Sequence, residues 1–118
     1  MPGGFPIVTS NGGNPNTGIV WATAPISHDA NRDVVEGILR AYDATALDPV
    51  NNADGTHRLK LLWDSTHIPN NTFKFSKFCP PVVADGKVLV PTYEGRVDIY
   101  QLPKIGPGPV PTNANLGP

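Results

Sequence analysis

Pro80-Pro81-Val82-Val83-Ala84-Asp85-Gly86-Lys87-Val88-Leu89-Val90-Pro91-Thr92-Tyr93-Glu94-Gly95-Arg96-Val97-Asp98-Ile99-Tyr100 decides how the chain folds. β-branched residues crowd both sides of Asp85-Gly86, and both central positions of a type I′ turn need positive φ, so this pair predicts a two-residue hairpin. Tyr93-Glu94-Gly95 is a second, weaker turn before the run Arg96 to Leu102. The stretch therefore predicts three antiparallel strands in sequence.

The first half repeats that order. Pro6-Ile7-Val8 corresponds to Pro81-Val82-Val83, and Asn11-Gly12 to Asp85-Gly86. Thr23 and Thr92 each close a strand. Gly37-Ile38-Leu39-Arg40-Ala41-Tyr42 corresponds to Gly95-Arg96-Val97-Asp98-Ile99-Tyr100, with the tyrosine equally far from the glycine in both. The first copy has longer connections, including the polar loop from Pro25 to Glu36, and a further strand at Leu59 to Trp63. Loops absorb insertions more readily than strands do.

One stretch has a second reading. Val34, Val35, Ile38, Leu39 and Tyr42 fall at near-helical spacing, so 32–46 alone fits an amphipathic helix. Gly37 at its centre costs about 1 kcal/mol in a helix, and the repeat assigns the segment to a strand.

Composition agrees with many short strands. Among 118 residues there are 12 glycines and 14 prolines, which favour turns over long helices. Charge nearly balances at −1 with no Lys/Arg cluster, so the footprint of a nucleic-acid binder is missing. No apolar run approaches the ~20 residues needed to span a bilayer. Met1 to Phe5 lacks the basic and apolar regions of a signal peptide. With Cys79 alone, no intrachain disulfide can form.

Two features resemble the quinoprotein, or PQQ-like, β-propeller family. One is the lead-in from Pro80 to Tyr100. The other is Ala41-Tyr42-Asp43-Ala44-Thr45 followed by Leu61-Leu62-Trp63, similar to that family's tryptophan-docking pattern. The similarity spans 5–102. It departs at Ala46-Leu47, where Gly-Lys is usual, and in the insertion from Asp48 to Arg58. The second copy has Gln101 in place of Asp43 and no closing tryptophan.

The resemblance implies an all-β chain of about two four-stranded antiparallel blades, a fragment of a larger ring. Blade one would cover about 5–63 and an incomplete blade two about 73–102. Residues 103–118, rich in Pro and Gly, are expected to form a disordered tail that cannot join a sheet ladder, because prolines lack donors. By resemblance, Trp63 packs between neighbouring blades, and Ala41, Asp43 and Thr45 form the turn it docks against. A buried indole covers a large apolar area and its N–H seeks a partner.

Other candidates carry simpler readings. His28-Asp29 could be a base–carboxylate pair or metal ligands, but sits in a polar loop. His57 and His67, with Asp64, match no ligand spacing. Cys79 near Lys77 reads better as a small hydrophobe than as a reactive thiol. Trp21, Phe73, Phe75 and Phe78 could form a stacking platform, although core filling is the plainer role. Asn70-Asn71-Thr72 is a glycosylation sequon.

No catalytic, cofactor-binding or metal constellation is visible. The function expected is therefore a non-catalytic scaffold or interaction segment of a PQQ-like propeller, partnered by the remaining blades or another protein. The alternative is the C-terminal part of a PQQ-dependent quinoprotein oxidoreductase, which would need PQQ and calcium. The family implies a periplasmic or secreted setting. Two blades alone leave sheet faces and edges bare, so 1–118 should be marginal, sticky or oligomeric.

Overall fold

The structure is a computed structural model that describes residues 4–48, 53–101 and the backbone of 112–115. It is all-β, with no α-helix among the described residues. Strands β1 (Ile7–Thr9), β2 (Ile19–Pro25), β3 (Gly37–Leu47) and β4 (Leu59–Asp64) form one antiparallel sheet in sequence order. Strands β5 (Val82–Ala84), β6 (Lys87–Pro91) and β7 (Val97–Gln101) form a second, extended by the short strand β8 (Thr112–Asn115). A single 3-10 turn, Ser65–His67, follows β4.

The helical reading of 32–46 gives way to strand: Gly37 to Asp43 pair in unbroken register with Pro25 to Ile19. Gly37 is required there because the Phe73 ring lies against its Cα, where a Cβ would collide. The hairpin at Asp85-Gly86 has φ of +51° and +71°, the positive pair that a two-residue turn demands. Gly95 (φ +78°) closes the next turn.

The expectation that the tail stays out of the sheet is corrected at β8. Thr112 to Asn115 pair with Gln101 to Asp98, giving the second sheet a fourth strand. Proline's missing donor applies at Pro103, Pro107, Pro109, Pro111 and Pro118, but 112–115 contains no proline and can complete a ladder. The rest of the expected tail lies outside the described residues.

The two sheets pack face to face over one apolar core. Trp21, Leu39, Ala41 and Trp63 come from the first, and Val88, Val90 and Tyr100 from the second. Phe73, in the connector between the sheets, joins the same cluster. A smaller cluster of Ala30, Val35 and Phe75 seals the loop before β3.

The sheets meet by unlike faces. Antiparallel pairs alternate between hydrogen-bonded and non-hydrogen-bonded, and the two kinds point to opposite faces. Ala44 N–H donates to the Gly18 carbonyl (3.0 Å) and Ile26 N–H to that of Glu36 (2.9 Å), which makes Val20–Tyr42 a hydrogen-bonded pair. Thr92 N–H donates to the Arg96 carbonyl (3.0 Å), which makes Val88–Tyr100 one too. Yet Val88 and Tyr100 enter the core, whereas in the first sheet the core takes the other set, Trp21–Ala41 and Thr23–Leu39. Since the strand order is the same, the front of one sheet lies on the back of the other.

The tyrosines matched in sequence are thus equivalent in ladder position and opposite in surroundings. Tyr100 is fully buried, while Tyr42 lines an open depression on the outside of the first sheet. The matched glycines differ as well: Gly95 is in a turn and Gly37 is the first residue of a strand.

Candidate functional site

Of the residues singled out in the sequence, the seam between the sheets gathers Trp21, Ala41, Trp63 and Phe73. Cross-strand neighbours form the row Ile7–Trp21–Ala41–Trp63 on the first sheet. It faces the row Val83–Val88–Tyr100 on the second. Ala41 stands between two indoles in the adjacent strands, and its small side chain leaves them room. Trp63 meets Tyr100 with ring centroids 6.0 Å apart and planes at 69°, an edge-on pair favoured by the ring quadrupoles.

The indole nitrogens differ. Trp21 Nε1–H donates to Thr9 Oγ1 at 3.0 Å, whereas Trp63 Nε1 is buried without a partner among the described residues. Tyr100 accepts from the Asn71 side chain through its hydroxyl at 2.9 Å, and burial pushes its phenol up to about 12.

Asp43 and Thr45 lie further along β3, beside the irregular register between β3 and β4. Asp43 Oδ1 accepts from the Thr45 amide at 2.8 Å and hydroxyl at 2.7 Å, which holds its carboxyl below the usual carboxylate range. The arrangement recurs at Asp54/Thr56 and Asp64/Thr66, two triples that the reading of the sequence passed over. The signal was present as a repeated Asp-x-Thr. Such local bonds brace backbone turns.

At one end the seam opens into a cleft of about 530 Å³. Ile19, Trp21, Val83 and Val88 floor it, and Thr9, Ser10, Asn11, Thr17 and Gln101 form a polar rim. Among the described residues Tyr100 is the one titratable side chain lining it, and with its phenol pushed up to about 12 it supplies no acid or base near neutrality.

The remaining candidates fall elsewhere. His28 is exposed at φ +65°, and Asp29 accepts the Asn31 amide at 2.9 Å, so the pair shapes a loop. His67 Nδ1 lies 3.5 Å from Asp64 Oδ1, while His57 is exposed in the loop ahead of β4. Among the described residues no three His, Cys, Asp or Glu side chains come together. Ser76 Oγ donates to Cys79 Sγ at 3.2 Å.

Trp21, Phe73 and Phe75 are buried in two separate clusters, and Phe78 is exposed beside Phe5, so the four form no common platform. Asn70, the sequon acceptor, is exposed at φ +58°. Also unread in the sequence was Arg96. Its guanidinium reaches both oxygens of the buried Asp98 (2.6 and 3.2 Å) and the Thr72 carbonyl (2.9 Å).

The fold and seam define an all-β class: successive antiparallel meanders stacked front to back. Comparison with known families, with curated proteins and with solved structures finds no match to this chain. Among the described residues no helix is long and apolar enough to cross a membrane.

Proposed function

We propose that the chain is a non-catalytic scaffold or interaction segment of a propeller-like repeat protein, its two sheets acting as consecutive blades. The observation that carries the reading is the front-to-back stacking: Val88–Tyr100 faces into the seam, while the equivalent pair Val20–Tyr42 faces away from it. Stacking of this sense can continue from unit to unit, each unit hiding the apolar side of its neighbour. A sandwich of two like faces would close on itself.

The family resemblance also offers the oxidoreductase reading, with PQQ and calcium. The test is a titration of the full chain with PQQ and calcium, followed by absorbance and by dye reduction with simple alcohols and sugars. The scaffold reading expects no quinone spectrum bound to protein and no turnover. Stoichiometric development of either overturns it.

A further inference from the structure

The connection from β1 to β2 carries the chain's one Asn-Gly step, Asn11-Gly12. An asparagine carboxamide can be attacked by the backbone nitrogen of the residue after it. The attack is easiest when that residue has no Cβ, its N–H is free of hydrogen bonds, and the carboxamide is held by nothing. Asn11 and Gly12 are exposed, and among the described residues no hydrogen bond engages the Asn11 carboxamide or the Gly12 N–H. Only the Asn11 backbone is tied, its N–H donating to Thr17 Oγ1 at 3.0 Å and its carbonyl accepting from the Asn14 N–H at 3.1 Å. Beyond their chain neighbours, no atom lies within 4 Å of where a Cβ would stand on Gly12 or Gly13, and glycine rotates at little steric cost. The other asparagines with described side chains each fail one condition. Asn14 precedes Pro15, which has no N–H. The N–H after Asn31 donates to the Asp29 carbonyl (3.0 Å), and the N–H after Asn70 to the Ile68 carbonyl (3.3 Å). The Asn71 carboxamide donates to the Tyr100 hydroxyl (2.9 Å), and Asn16 precedes the β-branched Thr17, which crowds the path.

We propose that Asn11 is a site of spontaneous deamidation through the Gly12 amide, which turns a neutral rim of the cleft into an acidic one. Solvent hydroxide removes the Gly12 N–H proton, and the nitrogen bonds to Asn11 Cγ. The Cγ–Nδ2 bond breaks and ammonia leaves, taking its third hydrogen from water and restoring the hydroxide. Water then adds to one of the two carbonyls of the succinimide and opens it to aspartate or isoaspartate. In sum, one water is consumed and one ammonia released. Asn11 lines the cleft, where no described lining residue carries a charge at neutral pH. The product places a carboxylate there and adds one negative charge to the net −1. The isoaspartate form also routes the main chain through its Cβ, which lengthens the connection that sets β1 on β2.

The test is incubation of the folded full chain at neutral and mildly alkaline pH, followed by digestion at mildly acidic pH and peptide mapping by mass. An isoaspartate methyltransferase with labelled S-adenosylmethionine is the second probe. The peptide holding Asn11 is expected to gain the mass of an amide-to-acid exchange, to accept labelled methyl, and to convert faster as pH rises. Peptides holding Asn31, Asn70 and Asn71 should stay unmodified over the time in which half of Asn11 converts. Asn11→Gln, whose longer side chain closes a ring less readily, should lose the new species. Asn11→Asp supplies the authentic aspartate product and should co-elute with one of the new species on anion exchange. The position is exposed, so both variants should keep the wild-type circular dichroism. An Asn11 peptide that stays unmodified, a modification that persists in Asn11→Gln, or conversion of Asn31 or Asn70 as fast as Asn11 in the folded chain overturns the proposal.

Discussion

Trp63 and Tyr100 meet edge-on across the seam, 6.0 Å between ring centroids, and each is buried in the common core. They come from different sheets, so this contact is a direct measure of how tightly the sheets hold each other. Trp63→Ala is expected to cost roughly 3–5 kcal/mol, the range for deleting a buried aromatic. Trp63→Phe should cost less, because it keeps a ring and removes an N–H that has no partner among the described residues. Urea unfolding of the three proteins checks the order. Equal losses for Ala and Phe would show that the ring contact contributes nothing.

Tyr100 also makes stability depend on alkaline pH. Burial raises its phenol from 10.0 to about 12, so folding favours the neutral form. The contribution is fully present below pH 10 and is lost as pH rises through the folded value near 12. Ultraviolet titration should show this tyrosine ionising together with loss of near-ultraviolet dichroism. In Tyr100→Phe the alkaline loss should be smaller, at a cost of about 1 kcal/mol near neutrality for the Asn71 hydrogen bond.

Turn chemistry and strand order were legible in the sequence, because Asp85-Gly86 and the β-branched runs act locally. Which face of each strand is buried was not. The match of Tyr42 with Tyr100 is correct in the ladder but says nothing of which neighbour covers it, and alternation sends equivalent residues to opposite sides of one seam. β8 was missed because the prolines around Thr112–Asn115 dominated the reading of the tail. The link from Arg96 to Thr72 was invisible because it joins residues far apart in sequence through a backbone carbonyl, which no residue pattern reports.

The three Asp-x-Thr braces predict an acid limb. Asp43 and Asp54 are held below their ordinary 3.8 by their threonine hydroxyls and amides. At Asp64 burial pushes the other way, but the Thr66 bonds prevail and the net shift is also downward. Folded values below unfolded ones mean stability is present above 3.8 and lost as pH falls toward the folded values. Urea midpoints measured from neutral to strongly acidic pH should fall on that limb. The double variant Thr45→Val/Thr66→Val, lacking two of the hydroxyl donors, should lose less across it than wild type does. An unchanged acid limb in the double variant would show that the braces do not couple to folding.

Arg96 and Asp98 carry the last prediction. Asp98 is 1% exposed, and its carboxylate depends on the guanidinium that spans it at 2.6 and 3.2 Å. The same guanidinium donates to the Thr72 carbonyl, tying the connector between the sheets to β7. Arg96→Ala leaves the buried charge without its partner, and breaking a buried pair this way costs about 3–5 kcal/mol. Removing both groups leaves no stranded charge, so Arg96→Ala/Asp98→Ala should be more stable than Arg96→Ala alone. A double-mutant cycle by urea denaturation reads this directly, since the two changes share one interaction. If the single-variant losses simply add, the ion pair is not what holds Asp98 inside, and the fixing of the connector must be credited to Asn71, the neighbour of Thr72, through its bond to Tyr100.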